Sequence, residues 1–319
     1  MQKLALMTSG GDAPGMNAAI RAVVRKGIFE GYTIMGIRRG FSGLLSNDPF
    51  VPLEIGSVAD TIHRGGTILL TARSKEFYEP EHQDRAAARL HAGGIAGLII
   101  IGGEGSFHGA SKLEERGIRT VGVPATIDND IGGTEASIGF DTALNTVLDA
   151  VNRLRDTATS HERIFVLEVM GRSTGHIALA AGLAGGAESI LVPEMEYDID
   201  EVCSRLLKGI ERRKAHSIIL VAEGAAGAFK VGEQIKAKTG LETRVTVLGH
   251  IQRGGTPSAV DRMLGSRMGS FAVDLLKNGE SGLFTALKGE DIIKAPLKSA
   301  FEKKPFSEDL YELALVLAR

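Results

Sequence analysis

Gly97-Leu98-Ile99-Ile100-Ile101-Gly102-Gly103-Glu104-Gly105-Ser106 is the stretch that decides the fold. An aliphatic run without polar alternation fits a strand buried on both faces, as in a parallel sheet. It breaks into glycines, one carboxylate and a serine. Such a break suits a tight turn into a helix whose first N–H groups face an anion. Glu104 would then hold Mg²⁺ directly or through water. The plainer reading is an acidic residue favoured by the helix dipole.

The same alternation recurs on both sides. Runs at Leu4–Met7, Thr33–Ile37, Thr120–Val123, Ile164–Val169, Ser189–Val192, Ser217–Val221 and Arg244–Leu248 read as strands. Helical stretches are predicted at about 16–30, 80–93, 106–116, 141–158, 175–184, 199–214 and 258–277. Strand–helix alternation argues for an α/β architecture with helices on both sheet faces. The 319 residues suit two domains, with a boundary near Ile138-Gly139. The 41 glycines are nearly twice the usual ~7%, and they cluster where strands end.

Composition narrows the function classes. With 37 basic against 39 acidic residues the net charge is −2, so a DNA-coating role is disfavoured. No apolar run reaches the roughly 18 residues of a membrane helix, and the N-terminal stretch does not read as a signal peptide. The single cysteine excludes an intrachain disulfide and a cysteine-based zinc site. A reducing, cytoplasmic protein is expected. Cys203 falls on an apolar stripe with Ile199, Leu206 and Ile210 and reads as core.

Four further clusters carry chemistry. Thr8-Ser9-Gly10-Gly11-Asp12-Ala13-Pro14-Gly15-Met16-Asn17 lies between a strand and a helix and is either an anion cradle or a plain turn. Thr126-Ile127-Asp128-Asn129-Asp130 follows an apolar strand. If it stays extended, its two carboxylates share a face, suiting a metal-side group beside a base for a hydroxyl proton; an Asx turn is the alternative. Arg73, Arg163, Arg172, Arg244, His250 and Arg253 sit largely at strand ends beside glycines, where a guanidinium can grip phosphate bidentately. Arg21 and Arg25 are one helical turn apart, and Arg212, Arg213, Lys214 and His216 crowd the end of another helix. These last read equally as solvated faces or favourable C-terminal cations.

Together with Arg64-Gly65-Gly66-Thr67, Ile138-Gly139-Phe140-Asp141-Thr142-Ala143, Arg155-Asp156-Thr157, Met170-Gly171-Arg172 and Leu248–Gly255, these segments closely resemble the bacterial 6-phosphofructokinases, in order, from about residue 3 to about 275. The resemblance implies two Rossmann-like three-layer α/β lobes with mostly parallel sheets. The larger, 1–138 plus 251–305, would take ATP and Mg²⁺; the smaller, 139–250 plus 306–319, the sugar phosphate. It implies transfer from MgATP to the 1-hydroxyl of fructose 6-phosphate, with Asp128 as base beside Thr126, Ile127 and Asp130. Gly11, Arg73, Ser74, Gly103, Glu104, Gly105 and Ser106 would line the ATP phosphates, with Glu104 at the metal. Met170, Gly171, Arg172, Glu223, His250 and Arg253 would hold the sugar phosphate. Arg163 and Arg244 would reach it from a neighbouring subunit of a homotetramer. Arg21, Arg25, Arg155, Gly186, Glu188, Arg212, Lys214 and His216 would form an effector pocket for ADP or phosphoenolpyruvate.

The chain departs from the family pattern at several positions. Glu104 stands for the usual aspartate, Ala125 for a glycine, Phe41 for a common tyrosine, Tyr78 near a usual basic residue, and Ile55 for an arginine of some members. Pyrophosphate-using relatives usually place an aspartate after the metal carboxylate and a lysine before Thr-Ile-Asp; here these are Gly105 and Ala125, which favours ATP. A pyrophosphate-dependent enzyme and a catalytically silent metabolite sensor on the same fold are the alternatives.

Overall fold

A computed structural model describes residues 1–212, 214 and 216–318, and these divide into two compact units. The first comprises 1–142 and 253–304, the second 143–252 and 305–319.

In the first unit β1 (Lys3–Ser9), α1 (Met16–Phe29), β2 (Thr33–Ile37), α2 (Gly40–Leu44), β3 (Phe50–Leu53), α3 (Pro80–Ala92), β4 (Ile95–Gly102), α4 (Glu104–Glu114) and β5 (Thr120–Pro124) follow in order. The chain leaves through α5 (Phe140–His161). The second unit continues with β6 (Ile164–Val169), α6 (His176–Gly185), β7 (Ser189–Leu191), α7 (Ile199–Glu211), β8 (Ser217–Ala222), α8 (Ala228–Thr239) and β9 (Thr243–Val247). The chain returns for α9 (Ala259–Lys277), β10 (Leu283–Lys288) and β11 (Asp291–Pro296), and closes with α10 (Glu308–Leu317).

The first sheet runs β11-β10-β5-β4-β1-β2-β3, parallel except for its edge strands β3 and β11. Pro52, which cannot donate to a ladder, sits in the edge strand β3, where that costs least. The second sheet, β7-β8-β6-β9, is wholly parallel. Burial follows the aliphatic runs: Leu98, Ile99, Ile100 and Ile101 of β4 are sealed from solvent, as are Ile218, Ile219, Leu220 and Val221 of β8. Phe107 of α4 packs on Phe284 of β10 with ring centroids 5.5 Å apart. Cys203 is buried with Val202, Leu206 and Ile219, as expected of a core residue, whereas Ile210 of the same stripe is exposed.

Two boundary differences bear on the candidate site. α4 starts at Glu104 rather than 106, so the carboxylate belongs to the first helical turn. α7 ends at Glu211, short of the cationic run. Strands β3, β10 and β11 and helices α8 and α10 carry weaker patterns that the sequence reading passes over.

Candidate active site

The strand order determines where ligands gather. From β1 the chain builds outward through β2 to β3, then crosses to β4 and builds the other way through β5. Crevices beyond the C-terminal ends of strands at such a reversal are where open α/β sheets bind ligands. Ser9 pairs with Gly102 there, and Gly102 with Pro124. The three glycine-rich or acidic motifs of the first unit therefore leave neighbouring strands side by side.

Beyond β1, a side chain at Gly11 would start 2.7 Å from the Arg253 guanidinium, so only glycine leaves that group its place. Arg253 also donates to the Asp12 carbonyl at 3.3 Å. The loop carrying Arg64–Thr67 is knitted to the same turn. Buried Asn17 accepts from Ile68 N–H at 2.8 Å and donates to the Arg64 and Gly65 carbonyls. Thr71 Oγ1 donates to the Gly10 carbonyl at 2.7 Å, which brings exposed Arg73 and half-buried Ser74 to this edge. Asn17 lay within the quoted motif, but its anchoring of a loop some fifty residues away has no local signal.

Beyond β4, Gly103 precedes α4 in extended conformation and its carbonyl receives the N–H groups of Ser106 and Phe107. Ser106 is buried against Gly102, while no atom lies within 4 Å of the space beside Gly105. Glu104 is half-exposed, with Oε1 3.4 Å from Nε2 of His108, whose ring stacks on Phe301 at 3.8 Å. His108 and Phe301 were not singled out by sequence.

Beyond β5, the Ala125 N–H donates to the Gly102 carbonyl at 2.9 Å, and Ile138 N–H to that of Pro124 at 3.0 Å. Ala125 is buried and does not adopt positive φ, so its methyl adds no backbone strain. Thr126–Asp130 is not extended: Asn129 takes φ 51° and the segment turns. The premise that strand alternation aligns Asp128 with Asp130 therefore fails, because the left-handed residue between them breaks the period of two. Ser137 staples this turn instead, its hydroxyl donating to the Thr126 carbonyl at 2.7 Å and its N–H to Asn129 Oδ1 at 3.0 Å. Thr126 Oγ1 accepts from the Asp128 N–H at 3.2 Å. Asp128 and Ile127 are buried, and Asp130 is half-buried.

In the second unit, Met170-Gly171-Arg172 leaves β6, Glu223 leaves β8 and His250 follows β9, on one edge of the sheet. Glu223 Oε1 accepts the N–H groups of Gly171 and Arg172 at 3.2 and 2.8 Å, shaping the loop that presents the arginine. Gln252, sealed from solvent, accepts from Met170 N–H at 3.3 Å and donates to the Gly249 carbonyl at 3.1 Å, joining two of these loops. Arg163 and Arg244 stand at the other end of β6. Both pair with Glu242, at 3.1 Å for Arg163, and these cations hold its carboxyl below the usual range.

The candidate effector residues fall in two groups. Arg21 and Arg25 lie on α1, in the first unit. In the second, Lys214 pairs with buried Glu188 at 2.6 Å, Arg155 donates to the carbonyls of Gly185 and Gly186, and His216 meets Thr159 at 3.1 Å. Burial pushes the His216 imidazole down, against the opposing pull of Glu188. Arg212 is exposed and bonds the Lys208 carbonyl; Arg213 lies outside the described residues.

A family model described as Phosphofructokinase matches residues 3–276. A Natranaerobius thermophilus protein named ATP-dependent 6-phosphofructokinase is 57% identical over 319 residues, covering all of both chains. One of that name from Bacillus licheniformis is 54% identical over the same span. Phosphofructokinase from Saccharomyces cerevisiae superposes with a TM-score of 0.88 at 36% identity, over 94% of this chain and 45% of that chain. The present chain thus spans less than half of the yeast one. A pyrophosphate-dependent phosphofructokinase from Marinobacter aquaeolei shares the fold, with a TM-score of 0.87 at 22% identity over 100% of this chain and 92% of that one. Likeness that runs end to end, at more than half of all positions in these bacterial relatives, makes the chain a member of the phosphofructokinase family.

Proposed function

We propose that this chain is an ATP-dependent 6-phosphofructokinase, transferring the γ-phosphoryl group of ATP to the 1-hydroxyl of fructose 6-phosphate to give ADP and fructose 1,6-bisphosphate. The observation that carries this is the side-by-side exit of Gly10-Gly11, Gly103-Glu104 and Thr126–Asp130 from β1, β4 and β5 at the reversal of strand order. It supports phosphate-binding loops beside a carboxylate turn, the arrangement that phosphoryl transfer asks of a protein.

Asp128 takes the proton of the 1-hydroxyl as its oxygen bonds to the γ-phosphorus and the bond to the β-phosphate oxygen breaks. Gly11, Gly103, Gly105 and the start of α4 receive the phosphates, Ser106 packs behind them, and Arg73 and Ser74 close over them. Met170, Gly171, Arg172, His250 and Arg253 hold the sugar phosphate, with Glu223 shaping the Arg172 loop. Glu104 suits Mg²⁺: one half-exposed carboxylate with no group of three ligands among the described residues fits an ion that keeps several waters and is held partly by substrate phosphates. When bound, that ion neutralises phosphate charge.

Open space beside Gly105 supports ATP over pyrophosphate, since an aspartate side chain would enter there. Parallel assays with ATP and pyrophosphate across a Mg²⁺ titration test the donor; faster turnover with pyrophosphate would reverse it. Binding of both substrates without turnover would identify the silent sensor instead. Glu104→Asp should preserve or improve activity.

We further infer a homotetramer. β6 is six residues long, roughly 20 Å, so Arg163 and Arg172 at its two ends do not grip one phosphate from the same chain. The Lys214–Glu188–Arg155 cluster supports binding of ADP or phosphoenolpyruvate, with Arg21 and Arg25 as further cations. No helix among the described residues is long and apolar enough to cross a membrane. Kinship with bacterial proteins of this name supports a cytoplasmic enzyme.

A further inference from the structure

The last stretch of the first unit backs the turn that carries Asp128. Leu297–Phe301 forms a 3₁₀ turn whose Ala300 carbonyl accepts the N–H of Gly132, two residues beyond Asp130, at 3.3 Å. A side chain at Gly132 would strike the carbonyls of Ser299 and Glu302, so backbone meets backbone there. A few residues on, half-buried Lys304 turns back and its Nζ donates to the Glu135 carbonyl at 2.8 Å. The same carbonyl receives the Asn129 side-chain amide at 3.4 Å. Asn129 is the left-handed residue separating Asp128 from Asp130, and the Glu135 N–H is itself fixed to the Leu287 carbonyl on β10 at 3.0 Å.

A lysine normally keeps its ammonium in water and buries only its stem. Lys304 is only half-buried, yet its Nζ is turned back onto the protein. Burial pulls its ammonium down to about 8, and the Asp130 and Glu135 carboxylates only partly restore it. Bonded to a carbonyl shared with the residue between two site carboxylates, the Lys304 ammonium can act on the site through that carbonyl.

We propose that Lys304 is a positioning residue for phosphoryl transfer, fixing the Asn129–Glu135 clamp so that the Asp128 carboxylate meets the sugar hydroxyl in line. This rests on Asp128 being the base. Lys304 touches neither substrate in this assignment, so its loss should lower kcat and leave binding alone.

The test compares wild type with Lys304→Met, Lys304→Arg and Asp128→Asn. Lys304→Met should lower kcat by about 10- to 100-fold, the scale of a small misplacement at a reacting centre. Its KM for each substrate should stay within about threefold and its thermal midpoint should not fall. Lys304→Arg, which restores a cation and donor, should recover most of kcat. A kcat for Lys304→Met within twofold of wild type, alongside an inactive Asp128→Asn, would overturn the proposal and leave the base intact. A fall in kcat that tracks a lowered midpoint and is not rescued by arginine would show a merely structural lysine and also overturn it. Wild-type turnover in Asp128→Asn would remove the base and this proposal with it.

Discussion

Ser9 and Gly102 are register partners across β1 and β4, the two strands on either side of the reversal in strand order. That pairing brings two glycine-rich loops, ninety residues apart in the chain, to one crevice. Gly102 also accepts the Ala125 N–H at 2.9 Å, which ties the start of the acidic turn to the same strand end.

Asp128→Asn keeps the size of a buried side chain while removing its capacity to accept a proton at the 1-hydroxyl. Steady-state kinetics should show kcat lowered by at least ~10²-fold, the usual scale for a general base. Both KM values should change little. A turnover near wild type would place the base elsewhere.

Arg163→Ser should raise the KM for fructose 6-phosphate strongly and leave the KM for ATP nearly unchanged. The Arg163 guanidinium is the first of the causes that depress the Glu242 carboxyl, so the pair persists at neutral pH and is lost only as pH falls through that lowered value. Light scattering of the wild type should give a tetramer; a fully active monomer would sink the shared site.

Gln252→Leu removes a side chain that satisfies Met170 N–H and the Gly249 carbonyl in a place sealed from solvent. Leaving such groups unpaired costs about 1–3 kcal/mol. Denaturant melts should show that loss, and the KM for fructose 6-phosphate should rise as the Arg172 and His250 loops separate. Unchanged stability would mean the two loops hold without it.

Lys304 gives a pH signature to stability. Its ordinary value of 10.5 is lowered to about 8 in the folded chain, first by burial. Between those values the unfolded chain binds more protons than the folded one, so stability contributed by this group rises with pH from about 8 to 10.5. Below 8 the cost of the buried charge is fully present. Unfolding free energies measured across that window should rise less for Lys304→Met than for wild type.

The fold class, and the positions of β2 and β6 to the residue, were legible because buried parallel strands leave aliphatic runs that end in glycine. So were the glycine-rich turns that follow β1 and β4, since a sharp turn from strand to helix needs small residues. The weaker elements were not. β3 is a four-residue edge strand containing proline, and β10 and β11 alternate too loosely to stand out.

By itself the sequence marked candidates for the chemistry: Asp128, Glu104, Arg73 and Arg172 carry charges of the kind phosphoryl transfer uses. Only tertiary structure decided how they are held. The left-handed Asn129 makes a turn of a stretch that the sequence left open between extended and Asx turn, and Ser137, Gln252 and Asn17 act through hydrogen bonds spanning from eight to more than eighty residues. Lys304 belongs to a tail whose composition carries no signal, and matters because the chain returns there to the Asp130 turn. Side-chain chemistry is local and can be read in order along the chain. Hydrogen-bond partners and burial are set by which strands lie side by side, and that order exists only in the folded sheet.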